Sequence, residues 1–235
     1  MGIFSKINIG ADYANRLEII DMFEKSSETK KICEVGPGGK PLIIEYPGNG
    51  EFYGIEYPGC AEETIKAFQL NGKTIVMKEC DLSNDKWSFG DDEFDVVVSN
   101  QVLEHMTNTD HFFEEFYRIM KPGGYGIISC PNLSSLHNII QLILTFQPIM
   151  HNASDKFYGI GNPLSSHRHE PRSAPFHCHL RILSLRAMVE LCALYGFKVE
   201  TKRGGSFMGI PLIGRYIGRI LPWYSVYCTV KVRKI

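Results

Sequence analysis

The sequence predicts an α/β domain built on a mainly parallel sheet, and three observations predict it. Strand-like apolar runs alternate five times with helix-like or turn segments before Pro131. The fourth run, FDVVVSN at 94–100, is a continuous β-branched stretch of the kind a strand buried on both faces requires. The first run, KICEV, leads into the glycine turn GPGGK, and in such sheets ligands sit beyond the carboxyl ends of the strands.

Taken in order, residues 12–25 place Leu17, Ile20 and Phe23 at helical spacing, so a leading helix is expected before the polar break KSSETK. KICEV is the first strand, and Pro41 suits the first position of a helix over PLIIEY. EFYGIE at 51–56 is the second strand. AEETIKAFQLNG is a helix closed by Asn71 and Gly72, and TIVMKECD is the third strand. After the fourth strand, a helix from about Asp110 to Met120 turns Phe113, Phe116 and Met120 inward and stops at KPGG, before the fifth strand YGIISC.

Beyond Pro131 the pattern changes to an apolar helix over 136–150 and a Gly/Pro/His-rich loop, of a length that ordered domains reserve for lids and binding loops. We therefore expect one domain over 1–235 with a lid or substrate insertion at about 133–182. Ser184 caps a helix that stops at Gly196, FKVE is a sixth strand, and VYCTVKV alternates as an edge or near-edge strand does.

Composition bounds the function. The 235 residues hold 25 Lys and Arg against 26 Asp and Glu, so no overall charge draws the chain to nucleic acid. The last 35 residues carry basic side chains and no carboxylate, an end that could face something anionic. Seven scattered cysteines without metal spacing read as reduced core thiols of a cytoplasmic protein. No apolar run is long enough to span a bilayer.

The glycine turn could cradle a phosphate, but the letters oppose the usual forms. Counted from Gly36, Pro41 stands where both the P-loop and the dinucleotide fingerprint need glycine, and no Lys-Ser/Thr follows. EVGPGG instead resembles the first motif of class I S-adenosylmethionine (SAM)-dependent methyltransferases, and the later motifs fall in that family's order. Glu56 matches the acid that holds both ribose hydroxyls, while Asp81 and Leu82 match the adenine end. FDVVVSNQVLEHM is similar to the fourth-strand motif with Asn100 and Gln101 beside the cofactor, and RIMKPGGYGIISCPN to the helix, turn and fifth strand. HLRILSLRAMVELCALYGFKVE is similar to the small-molecule and glycan-modifying branch.

The resemblance implies a Rossmann-like, seven-stranded, mainly parallel sheet with helices on both faces, and SAM as cofactor with S-adenosylhomocysteine as product. It implies cofactor contacts from Glu34, Gly36, Gly38, Glu56, Asp81, Leu82, Asn100 and Gln101. Glu34 could equally cap the turn, and Lys40 stands where the family often has a further glycine.

The implied reaction is methyl transfer to a small molecule or glycan, at oxygen. A base must then come from the mouth of the pocket, and the histidines available are His179, His137 and His105, with His179 first because HCHLR matches a family position. The cluster His167, His169, His177 and His179, with Glu170 as a further ligand, has i, i+2 spacing in a loop, so no metal is expected there. Helical spacing of Ile210, Ile213, Ile217 and Ile220 makes 206–224 either a helix packed on the sheet, a homodimer contact, or a membrane-surface segment serving a lipid-linked or quinone-like acceptor at N or C. The remaining alternatives are a nicotinamide oxidoreductase and a non-catalytic SAM-binding module. No nucleic-acid motif is present.

Overall fold

The computed structural model describes residues 3–172, 178–207 and 213–235. Seven strands form one sheet: β1 (Lys30–Val35), β2 (Gly50–Glu56), β3 (Val76–Glu79), β4 (Phe94–Asn100), β5 (Met120–Pro131), β6 (Phe197–Gly204) and β7 (Tyr227–Lys234). Their order is β3-β2-β1-β4-β5-β7-β6. The first five strands are parallel, and β7 runs antiparallel to both β5 and β6. The chain therefore winds outward from β1 to β3, returns to β4 beside β1, and continues the other way. The carboxyl ends of β1 and β4 flank the crevice this reversal leaves.

Helices cover both faces, because adjacent strand residues point to opposite sides. Cys33, Val35 and Val97 meet Phe112, Phe113 and Phe116 of α3 (Thr109–Ile119) and Leu185, Met188 and Cys192 of α5 (Leu185–Leu194). Ile32, Val96 and Val98 meet Ile19 of α1 (Ile3–Ile20) and Phe68 of α2 (Ala61–Leu70) on the other face. Capping follows the sequence: the side chains of Asn108 and Ser184 accept from the N–H groups of His111 and Ala187, and Gly72 and Gly196 close α2 and α5 at positive φ.

Several boundaries differ from expectation, each for a local reason. The leading helix spans Ile3–Ile20, not 12–25, and its buried stripe is Ala11, Ala14, Asn15, Glu18 and Ile19. Two buried polar residues in that stripe hide it from an apolar count. PLIIEY makes only a short 3-10 turn at Ile43–Glu45, and β3 is four residues long. Met120 leaves α3 and already pairs with Phe94. The helix expected over 136–150 is α4 (Leu136–Ile143), ended where Thr145 takes a positive φ.

β7 lies second from the sheet edge, and its polar positions Thr229, Lys231 and Lys234 are buried. Lys231 donates to Met22 O at 3.1 Å and Glu24 Oε1 at 2.7 Å over the Tyr125 ring. The basic C-terminal end does face anions, but they belong to α1 and the segment after it. Buried Glu18 takes Arg203 at 3.0 Å, Arg219 at 2.9 and 3.0 Å, and Arg215, while Asp21 takes Arg215 and Arg219. α6 (Ile213–Ile220) sets Gly214 and Gly218 inward and leaves Ile213, Tyr216 and Ile220 exposed. Ile210 falls outside the described residues.

Glu18→Ala would leave Arg203 without this anion and Arg215 and Arg219 with Asp21 alone. It should lower unfolding free energy by about 3 kcal/mol, the low end for breaking a buried pair because the arginines keep some water. Urea denaturation of parent and variant measures this, and an unchanged midpoint would refute the bond's structural weight.

Candidate active site at the switch point

The site begins with β1 and the turn that follows it. Gly36 takes φ +65°, and a Cβ there would lie 2.4 Å from Val102 Cγ2, so the turn is pressed against the segment leaving β4. Gly38, at φ +54°, has open space where its Cβ would be. Glu34 is buried beneath the turn. Its Oε2 accepts from Leu42 N at 2.8 Å and Ile43 N at 3.1 Å, and Oε1 from Leu42 N at 3.1 Å. Those bonds fix the exit of the turn and use the N–H groups a longer helix would have begun with. Burial pushes the Glu34 carboxyl up to about 8, against the pull of the two amides.

Glu56 ends β2 across the crevice. Its Oε2 accepts from Gly38 N and its Oε1 from Tyr57 N, each at 3.0 Å, and burial raises its pKa. Asp81 follows β3 in a tight turn, where its oxygens accept from Ser83 N and Asn84 Nδ2 at 2.9 Å. Leu82 is buried behind it, and its carbonyl accepts from Trp87 Nε1. Asn100 ends β4 and Gln101 follows it at φ +59°, with its buried Nε2 without a hydrogen-bond partner. A donor held so is suited to an acceptor on a bound ligand.

Asn100 and Gln101 line a cleft of about 550 Å³ with Pro37, Gly39, Lys40, Glu63, Asp12 and Arg16. The last two come from α1, an element the motifs did not point to. Arg16 Nη1 donates to Lys40 O at 2.7 Å, and Asn15 Nδ2 donates to Asn100 Oδ1 at 2.9 Å and Ser129 Oγ at 3.0 Å. Asn15 also accepts from Thr229 Oγ1 of β7. The leading helix thus positions one wall of the cleft. The signal that could have found it was its buried polar pair, Asn15 and Glu18, inside a helical stripe.

The three candidate histidines divide. His105 follows β4, and its Nδ1 lies 3.0 Å from Cys178 O. His179 precedes α5, and its Nδ1 lies 2.7 Å from Met150 O. Their rings are 5.0 Å apart. His137 is on α4, with Nε2 3.5 Å from Ser135 Oγ. Burial lowers both His137 and His179 to about 4, and the charge His105 can carry adds to this for His179. A lone imidazole that weakly basic is a poor proton acceptor at neutral pH. In the loop, His167 pairs with Glu170 at 2.8 Å in the open, His169 is exposed, and His177 lies outside the described residues. Glu104, which no motif assigned, is buried between His105 and His179, with each Nε2 4.0 Å from its Oε1.

Fold and site together give an α/β protein with a crevice at a sheet reversal, an acid at the end of β2 and a glycine turn after β1. A family model described as a methyltransferase domain matches residues 9–202, and the chain belongs to that family, the class I SAM-dependent methyltransferases. It is 32% identical over 114 residues to a protein of Mycolicibacterium smegmatis described as a "probable S-adenosylmethionine-dependent methyltransferase", covering 48% of this chain and 32% of that one. It is 33% identical over 126 residues to the mitochondrial ubiquinone biosynthesis O-methyltransferase of Rattus norvegicus, covering 50% and 35%. The matches thus span about a third of these curated relatives. A SAM-dependent methyltransferase structure from Mesorhizobium loti superposes with TM-score 0.57 at 14% identity over 96% of this chain and all of that one. The cofactor of the family is SAM.

Because the folded pKa of Glu34 lies near 8 and the unfolded one near 4.5, the native state binds more protons than the unfolded chain between those values. Its contribution is full below 4.5 and is lost as pH rises through 8, by at most about 1.4 kcal/mol per pH unit. Urea melts of the ligand-free protein at pH 5, 6.5 and 8 should show that fall, and Glu34→Gln should flatten it. A second pair of variants reads the turn. Gly36→Ala, strained and clashing with Val102, should abolish cofactor binding, whereas Gly38→Ala should cost only about 1 kcal/mol of backbone strain. Equal effects in calorimetric titrations with S-adenosylhomocysteine would contradict the packing described.

Proposed function

We propose that this chain transfers the methyl group of SAM to a hydroxyl of a small-molecule or glycan acceptor. The observation that carries the reading is Glu56. It ends β2 in register beside the glycine turn, with Oε2 on Gly38 N, where a carboxylate can take a pair of vicinal ribose hydroxyls. Asp81 and Leu82 then serve the adenine end, and Glu34, Gly36, Gly38, Asn100 and Gln101 shape the methionine end. The acceptor oxygen attacks the methyl carbon in line with the C–S bond. The bond's electron pair goes to sulfur, and the hydroxyl proton leaves to a base or water.

Residues 133–182 act as the lid over the acceptor in this reading. Among those described, Gln147 N bonds Gly161 O, Asn162 Nδ2 bonds Gln147 O, and Phe157 bridges Pro171. α4 buries Asn138 and Gln141 and exposes Leu142 and Ile143, and Leu144 just after it is exposed too. That outward apolar side, with the name of the rat relative, favours a second reading in which the acceptor is quinone-like or lipid-linked. The arginines of α6 support it less, since both are turned to Glu18. Six buried free thiols and one exposed, Cys60, fit a cytoplasmic enzyme. No helix among the described residues is long and apolar enough to cross a membrane.

Titration with S-adenosylhomocysteine, with NAD and NADP as controls, tests the cofactor half. We expect micromolar binding of S-adenosylhomocysteine alone, weakened at least about tenfold by Glu56→Ala and by Asp81→Ala, the loss of one or more charge-assisted hydrogen bonds. Methyl transfer from labelled SAM to phenol, glycan and quinol panels tests the other half. Cofactor binding without transfer to any acceptor would replace the enzyme by a binding module.

A further inference from the structure

Glu104 is buried without a partner for its acid. It follows β4 at the carboxyl edge of the sheet, its side chain is 1% exposed, and neither carboxylate oxygen has a hydrogen-bond partner. Its carbonyl is well used, accepting from Leu180 N at 2.7 Å and Arg181 N at 3.3 Å, which moors the segment carrying His179. The carboxylate is therefore held in place by its backbone with nothing to satisfy its charge.

What it faces are two imidazoles, each presenting Nε2 at 4.0 Å from Oε1. A carbonyl can only accept, so the contacts of His105 Nδ1 with Cys178 O and of His179 Nδ1 with Met150 O put the proton of each neutral ring on Nδ1. Both Nε2 atoms then carry a lone pair. Two lone pairs directed at a carboxylate oxygen repel it unless a positive charge stands between them. Main-chain carbonyls on the far nitrogens are also the partners that orient histidines on metals and raise their donor strength.

We propose that Glu104, His105 and His179 bind one divalent transition-metal ion. The three donor atoms lie within 4.8 Å of one another, so a point equidistant from them is about 2.5 Å or less from each, a few tenths of an ångström from zinc–nitrogen and zinc–oxygen bond lengths. Two imidazoles and a carboxylate suit zinc, manganese, iron(II) or cobalt(II) and leave further positions open. Val102, against which Gly36 packs, is three residues before His105, so the ion would sit next to the turn that holds the cofactor.

The use of such an ion rests on the O-methyltransferase reading, although the binding does not. An acceptor hydroxyl coordinated to it would be acidified, as metal-bound water is. The proton passes to solvent water, the oxygen attacks the SAM methyl, and the C–S bond breaks with its pair going to sulfur. The products are the methylated acceptor and S-adenosylhomocysteine.

The test is to strip the full chain with chelator and titrate it with zinc by calorimetry and with cobalt(II) by visible absorption. We expect one ion per chain, d–d bands from cobalt in a low-symmetry site, and binding at least about tenfold weaker in Glu104→Gln and His179→Ala. His167→Ala, in the exposed loop, should bind as the parent does. Circular dichroism checks the fold, and if Glu104→Gln misfolds, His179→Ala and His105→Ala decide. No saturable ion binding by the parent, or unchanged binding in every folded variant, overturns the proposal. Ion binding without S-adenosylhomocysteine binding would keep the metal site and remove the methyltransferase reading. S-adenosylhomocysteine binding without ion binding would do the reverse.

Discussion

The bond from Glu34 to the N–H groups of Leu42 and Ile43 is the constraint on which the site depends. Glu34 lies on β1, whose position in the sheet is set on both sides by parallel pairing to β2 and β4. Tying the far end of the turn back to that strand makes GPGGK a closed loop, and the loop can then rest Gly36 on Val102 and turn Gly38 N toward Glu56. The same bonds satisfy the first N–H groups of PLIIEY, which goes on only to a short 3-10 turn at Ile43–Glu45.

A second constraint works from the opposite end of the chain. Arg203, Arg215 and Arg219, distributed over β6 and α6, close on Glu18 of α1, and Lys231 of β7 reaches the carbonyl of Met22. These contacts lock α1 against the antiparallel edge of the sheet. Asn15, one turn earlier in the helix, is thereby held among Ser129, Thr229 and Asn100. A cleft wall at β4 is thus fixed by residues about two hundred positions downstream. The basic tail is part of the scaffold of the site.

These two constraints also explain what the letters disclosed. The sheet was legible because β1, β4 and β5 are buried on both faces and write long apolar runs, and Glu56 was legible from its register after the second strand. α1 was misread because its inward face holds Asn15 and Glu18, whose partners lie on strands far along the chain. VYCTVKV read as alternating because Thr229 and Lys231 look exposed as letters, whereas here their polar atoms are paired inside. Glu104 was invisible for the same reason. Nothing in VLEHM announces that the acid will be buried, or that a loop 75 residues later will bring His179 to it.

The carboxyl edge of the sheet emerges as a place where acids are buried. Glu34, Glu56 and Glu104 are all pushed toward their neutral forms by burial, and Lys40 on the turn is exposed. A rigid arrangement of buried acids costs stability in the ligand-free protein, and that cost is relieved by whatever positive charge binds. SAM brings two such charges, an ammonium and a sulfonium, while its product S-adenosylhomocysteine keeps only the ammonium. On the reading proposed above, acids beside the ligand would favour the charged donor over the spent cofactor.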